Sequence, residues 1–172
     1  LKNDYEVRGD VTAIFLHRKD GSVLEALINT TDLPKVASFQ GNWYVATNRR
    51  ANYVQGQVWA NGKLLIQVKL HRFILDYTGS DVVDHINHDA LNNKRSNLRI
   101  VTKAQNSQNR LLNRNNTTGA RGVNWVPRKQ RWSAQVRSNG KAVYCKFFAC
   151  KSDAIAAVIK ARAELMPFSE EL

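Results

Sequence analysis

The sequence predicts an α+β chain in three parts: a β-rich N-terminal region, a strand–loop–strand–helix unit in the middle, and a C-terminal three-stranded antiparallel sheet packed on one helix. Three observations carry this expectation. Short β-branched and aromatic runs punctuated by Gly turns fill residues 1–66. Thr102-Lys-Ala-Gln105 has the Thr-x-x-Gln form of a helix capping box, directly after the strand-like Leu98–Val101. Asn139-Gly140 is a two-residue hairpin signal, and beyond its second strand apolar residues recur at helical spacing.

In order along the chain, Val11–Leu16 and Val23–Ile28 flank Lys19-Asp20-Gly21 and read as a hairpin. Thr31-Asp32-Leu33-Pro34 opens a short helix to about Ala37, since Pro is tolerated in a first turn. Trp43–Thr47, Asn52–Trp59 and Leu64–Leu70 read as a meander, its last turn at Asn61-Gly62; Arg49, Arg50 and Gln57 either line DNA there or decorate the surface. His71–Tyr77 reads as a short helix closing at Gly79. Val82-Val83-Asp84-His85 follows as a strand ending on an acid and a histidine, then an Asn-rich loop and Leu98–Val101. Leu111–Thr118 is polar, lacks apolar periodicity after Leu112, and reads as a linker. The resulting modules are 1–66, 67–110, the linker 111–118, and 119–172.

In the last module, Arg121–Trp125, Arg131–Arg137 and Ala142–Phe148 are the strands. A two-residue loop at Asn139-Gly140 would set Ser138 opposite Lys141, Val136 opposite Val143, Ala134 opposite Cys145 and Trp132 opposite Phe147. One face is then apolar; the other carries Arg131, Ser133, Gln135 and Arg137 with Tyr144 and Lys146. Ser152-Asp153 caps a helix whose Ala154, Ile155, Val158, Ala161 and Leu165 cover the apolar face, leaving the basic face open.

The chain has 172 residues, a formal net charge of +12 and an isoelectric point near 10.1. The charge is uneven: net +2 over residues 1–66, +4 over 67–118 and +6 over 119–172. Between Asp89 and Asp153 there are 14 Lys and Arg and no acid, whereas a solvated face mixes both signs. Double-stranded DNA is the expected partner, and a membrane or a small-molecule cofactor is not. Cys145 and Cys150 are too few for a disulfide framework, lack zinc spacing, and are expected as small buried residues in a reducing cytoplasm. No signal peptide is visible; the chain opens on Leu1 and its one methionine is Met166, which reads as a missing natural start.

Phosphodiester hydrolysis needs an activated water, charge stabilisation at phosphorus and help for the leaving oxygen. Adjacent on a strand, Asp84 and His85 point to opposite sides, which suits a metal ligand and a general base. Asn106, one turn into the capped helix, presents a second oxygen; Asp and Asn are hard donors and favour Mg²⁺ or Mn²⁺. Asn97 is placed to fasten the loop on itself and to orient the His85 ring. Plainer readings stand beside these. Asparagine runs are usually turns, His85 and His88 form a His-x-x-His pair that zinc would use, His71 can simply pack beneath the site, and Arg72 either holds a phosphate or pairs with Asp76.

On Leu70-His71-Arg72, Val83-Asp84-His85, Asn92-Asn93, Ser96-Asn97-Leu98-Arg99 and Thr102–Asn106, the chain resembles the HNH endonucleases, specifically the phage and intron-encoded His-Asn-Asn branch. The resemblance covers roughly Gln67–Arg110 and implies a ββα-metal core with His85 as base, Asn97 as the structural middle residue, and Asp84 with Asn106 as metal ligands. His88 stands where that family often has Gly. Residues 119–165 resemble an AP2/ERF DNA-binding domain through Arg121-Gly122-Val123, Trp132, Gln135-Val136-Arg137 and Ala154–Ala157. That implies DNA contacts from Arg121, Asn124, Gln135, Arg137 and Tyr144, with Arg131 and Lys146 beside them and Arg72 near the cut. Asn124 and Gln135 depart from the Arg and Glu frequent in plant members. The expected activity is a homing-type, monomeric, nicking endonuclease, phage-encoded and acting in a bacterial cytoplasm. The alternatives are a non-catalytic DNA-binding regulator on an HNH scaffold, and a structure-selective or RNA-directed nuclease.

Overall fold

The computed structural model describes residues 2–47 and 52–169, so Arg49 and Arg50 lie outside the described residues. The fold is mixed and strand-rich. Packing divides the chain into two units, Leu1–Ile100 and Val101–Leu172, a division that falls at the end of a strand rather than at 111–118.

In the first unit, β1 (Tyr5–Arg8), β2 (Val11–His17) and β3 (Val23–Asn29) form an antiparallel sheet in that order. β1 was not among the expected strands, although Tyr5-Glu-Val-Arg8 alternates apolar and polar residues; all four are exposed. It pairs along the edge of β2, and Arg8 bridges Glu6 and Glu25 across the sheet. Helix α1 (Leu33–Ala37), with Pro34 in its first turn, leads to the meander β4 (Asn42–Thr47), β5 (Asn52–Ala60) and β6 (Lys63–Lys69). The core of this unit includes Ile14, Leu16, Ile28, Val36, Trp43, Val54, Leu70 and Ile74. Each such side chain contributes about 1.5–3 kcal/mol by leaving water. Val83 and Leu98 belong to the same core, so the strands carrying the Asp-His pair are packed into the β-rich region rather than appended to it.

Helix α2 (Leu70–Ile74) is shorter than the predicted His71–Tyr77. Asp76 takes a left-handed conformation (φ 51°), which a helix cannot continue through. Arg72 donates to the carbonyls of Gly79 (2.9 Å) and Asp81 (2.6 Å), closing the bend into β7 (Val82–His85). β7 pairs with β8 (Leu98–Val101) in a two-stranded ribbon.

In the second unit, α3 (Lys103–Asn106) begins with the predicted capping box: the Thr102 hydroxyl accepts from the Gln105 N–H and the Gln105 side chain accepts from the Thr102 N–H. The stretch 111–118 has no regular structure, but Asn116 folds its end into a turn, accepting from the N–H groups of Thr118 and Gly119. Strands β9 (Val123–Val126), β10 (Arg131–Ser138) and β11 (Lys141–Phe148) form an antiparallel sheet with β10 central, and α4 (Lys151–Leu165) covers one face through Ala154, Val158 and Ala161.

The hairpin register departs from expectation. Ser138 pairs with Lys141 and Arg137 with Ala142, but a bulge then sets Val136 opposite Tyr144, Ala134 opposite Lys146 and Trp132 opposite Phe148. A slip of one residue turns a strand over. Tyr144 and Phe148 therefore pack on the helix side, and Lys146 shares that side instead of the open one. Phe147 and Cys145 take their places beside Ser133 and Gln135. Both cysteines are exposed rather than buried, Cys150 occupies the α4 N-cap position in place of Ser152-Asp153, and Leu165 is exposed.

Candidate active site

Val83 and His85 face inward on β7, while Val82 and Asp84 are half-buried on its other side. The loop that follows is tied down at both ends. Its base is closed by Ile86 N–H donating to the Asn97 carbonyl (2.9 Å). Its far side lies along β3: Leu27 N–H donates to Leu91, and Asn93 N–H donates to Leu27. Arg95 secures it further, with two guanidinium nitrogens on the buried Asp32 carboxylate and one of them also on the Ile74 carbonyl. The N-terminal sheet is thus the platform of the site.

Within this loop the asparagines divide by role. Asn87 accepts from Asp89 N–H and Asn92 from Lys94 N–H, as turn residues do. Asn97 fastens the loop on itself, accepting from Asn87 N–H (3.0 Å) and donating to the Asn92 carbonyl (2.8 Å). The amide that meets the histidine is a different one: Asn93 Oδ1 lies 3.3 Å from His85 Nε2. Asn93 is fully buried and its Nδ2 donates to the Leu91 carbonyl (3.0 Å), which fixes the amide with oxygen toward the ring. An oxygen only accepts, so Nε2 carries the proton and Nδ1 is the basic nitrogen. Burial holds the His85 pKa below the ordinary histidine range, against the Asn93 hydrogen bond and the charge of Asp84, so the ring is neutral near pH 7.

His88 sits at φ 63°, the left-handed region where the resembled family has Gly. Asp84 Oδ2 accepts from Arg99 Nε (3.1 Å) and Nη2 (3.0 Å), both side chains being largely buried. Among the described residues no group of three or more His, Cys, Asp or Glu is assembled for a metal. Asp84 offers a hard carboxylate oxygen of the kind a divalent ion takes. Asn106 lies in α3, in the second unit.

Residues 76–108 match the HNH endonuclease family. A stretch of 82 residues is 39% identical to an uncharacterised HNH endonuclease of Acanthamoeba polyphaga mimivirus, spanning 43% of this chain and 40% of that protein. A stretch of 59 residues is 34% identical to Protein 3.8 of Escherichia phage T7, spanning 34% of this chain and 49% of that protein. The chain therefore matches no more than about half the length of these relatives. No solved structure matches it significantly.

The HNH segment thus includes Asp84, His85, Asn93, Asn97 and Asn106. Sequence reasoning assigned ring orientation to Asn97 and missed Asn93. The signal present was the doubled Asn92-Asn93, but which of the two turns inward depends on the pairing with Leu27. Behind the ribbon, His71 packs edge-to-face on His85, ring centroids 5.0 Å apart at 88°, and Tyr53 lies against both at 5.9 and 6.1 Å. Burial first, then the charges of His85, Lys69 and Arg72, push the His71 pKa down to about 3. Its Nδ1 is buried without a hydrogen-bond partner, a cost of about 1–3 kcal/mol.

Two expected DNA contacts are engaged elsewhere. Arg72 holds the bend before β7, and Asp76 pairs with Lys35 rather than with Arg72. Arg121 donates to the carbonyls of Gln108 (2.8 Å), Arg110 (2.6 Å) and Ser107 (3.3 Å), a cation placed where the carbonyls beyond α3 point. The sheet face away from α4 presents Asn124, Arg131, Ser133, Gln135 and Arg137, the last donating to the Gly140 carbonyl.

Proposed function

We propose that this chain is a metal-dependent DNA endonuclease in which His85 is the general base. The observation that carries the reading is a buried, neutral His85 whose proton is fixed on Nε2 by Asn93, inside a segment matching the HNH endonucleases. A base must be unprotonated at working pH and held in one tautomer; burial of the ring and its bond to Asn93 support both.

Water loses a proton to His85 Nδ1 as its oxygen attacks phosphorus in line with O3′; the phosphorus–O3′ bond breaks, O3′ takes a proton from solvent, and the products are a 5′-phosphate and a 3′-hydroxyl. Asp84, with Asn106 added by the sequence motif, would hold a Mg²⁺ or Mn²⁺ ion that supplies positive charge to the scissile phosphate and the departing oxygen. Asn97 keeps the loop in shape, so it is structural to the site. Arg99, bonded to Asp84, steadies that carboxylate. The open face of the C-terminal sheet, AP2/ERF-like in its motif, supplies DNA contacts: Gln135 suits adenine, and Arg131 or Arg137 suits guanine. Tyr144 and Lys146 leave this set because the bulge turns them away, and Arg121 and Arg72 leave it because each is held by two or more backbone carbonyls, whereas Arg137 makes one such bond. With one such centre per chain, a monomer nicks a single strand, and homing by a phage gene in a bacterial cytoplasm is the biological setting we favour.

Supercoiled plasmid with Mg²⁺, with and without chelator, tests this. Nicking that needs the metal and is abolished by His85→Ala with DNA binding intact is expected. Cutting by His85→Ala at the wild-type rate overturns the base, and binding without any cleavage overturns the nuclease in favour of a regulator.

A further inference from the structure

One sheet face of the first unit takes no part in the proposed chemistry. β4, β5 and β6 turn Trp43, Val54, Val58 and Val68 to the core, so Tyr44, Tyr53, Gln55, Gln57, Gln67 and Lys69 share the opposite face. Tyr53 packs against His85, and Lys69 Nζ sits 5.1 Å from the Tyr53 ring centroid, so this face begins at the proposed base. Along β5 it runs to Trp59, which is 58% exposed. That strip is about 20 Å long, close to six steps of duplex at about 3.4 Å each. Hydrogen bonds fix what the face offers. Gln55 Oε1 accepts from Tyr44 Oη (3.1 Å) and Gln67 Nε2 (3.0 Å), and Gln57 Oε1 accepts from Trp59 Nε1 (3.2 Å). The amide oxygens of Gln55 and Gln57 are thus engaged within the sheet, and among the described residues neither Nε2 meets an acceptor. What remains are donors, with Lys69 at one end and Lys2 at the other, where Lys2, Asn42, Tyr44, Gln57 and Trp59 border a cleft of about 420 Å³. Charge divides the unit in the same sense. Residues 1–32 carry four Lys and Arg against six Asp and Glu, whereas residues 33–75 carry six Lys and Arg and no acid.

We propose that the open face of the β4–β5–β6 sheet holds the phosphate backbone of the duplex leading into the His85 site. The inference rests on the nuclease reading, which puts the scissile phosphate at His85. A glutamine that reads adenine uses its amide oxygen and nitrogen together. Here the oxygens serve the sheet, so the amides are left to donate, and a phosphate only accepts. With no acid on the face to repel it, a polyanion is the partner that donors flanked by two lysines suit. Contacts of this kind seat the backbone without selecting its sequence. Choice of the site stays with the C-terminal sheet, and this face brings the strand to the base.

Equilibrium binding of the full chain to random-sequence duplex, in chelator so that nothing is cut, tests this across a salt series. Gln55→Glu and Gln57→Glu keep the accepting oxygens and replace each outward nitrogen with a charged oxygen. Combined, they should weaken binding about tenfold at low salt, the scale of two unit charges brought near phosphates. Lys2→Gln with Lys69→Gln should flatten the dependence of log K on log salt by about 0.9 per lysine. Lys19→Gln, in the turn between β2 and β3, should change neither quantity, and urea titrations should find every variant folded. Variants that bind with wild-type affinity and slope overturn the proposal, as does an equal loss from Lys19→Gln. A loss confined to one preferred sequence also overturns it, because that marks base reading. The nuclease reading fails separately: a wild type that never nicks plasmid with Mg²⁺, while these losses of duplex binding persist, keeps the backbone surface and brings down the catalysis.

Discussion

Replacing His71 with Phe should change how stability responds to acid. In the folded protein the ring resists protonation to about pH 3, whereas in the unfolded chain it titrates at the ordinary histidine value of 6.5. The folded pKa is depressed, so the unfolded state binds the extra proton: stability is complete above pH 6.5 and falls as pH drops toward 3. Proton linkage between these two values gives about 2 kcal/mol less stability at pH 5 than at pH 8, approaching about 5 kcal/mol below pH 3. His85 shifts in the same direction through burial and adds to the loss in both proteins. Urea titrations at pH 8 and pH 5, read on the buried Trp43 indole by NMR, follow the first unit alone. The wild type should lose about 2 kcal/mol more than His71→Phe across that interval. Equal losses in the two proteins would refute the claim that His71 is buried neutral.

Other perturbations bear on the platform, the loop and the sheet. Arg95→Ala leaves the Asp32 carboxylate, 4% exposed, without its guanidinium, and should cost the first unit about 2–3 kcal/mol in denaturant titrations. His88→Gly relieves a left-handed L-residue and should raise stability by about 1 kcal/mol, read in the same titrations. In the second unit, Gly122 combines φ 82° with a backbone approach to the Gln135 carbonyl that a Cβ would overlap. Gly122→Ala should destabilise the C-terminal sheet by about 2 kcal/mol or more, visible as early loss of its amide protection. Arg137→Ala should weaken specific DNA binding by about 1–3 kcal/mol if it reads a base, with relaxed preference at one position. A phosphate contact would instead flatten the salt dependence and leave sequence preference unchanged.

The sequence by itself determined the local chemistry. The capping box at Thr102–Gln105, the Asn139-Gly140 turn, the strand carrying Asp84 and His85, and the closing role of Asn97 rest on spacings of a few residues, and short spacings are what sequence encodes directly. Tertiary structure decided what depends on residues distant in the chain. Asn93 becomes the partner of His85 because Leu27, 66 positions away, takes its backbone N–H. Arg95 leaves the loop for Asp32, and Arg121 is taken up by the carbonyls after α3. His71 meets His85 because both rings enter one core. The hairpin shows the boundary most clearly. Its turn was written in two residues, but the bulge beyond it was not: the bulge sets Tyr144 and Phe148 beside Val136 and Trp132, where both pack partly buried under α4, and turns Phe147 to the open face.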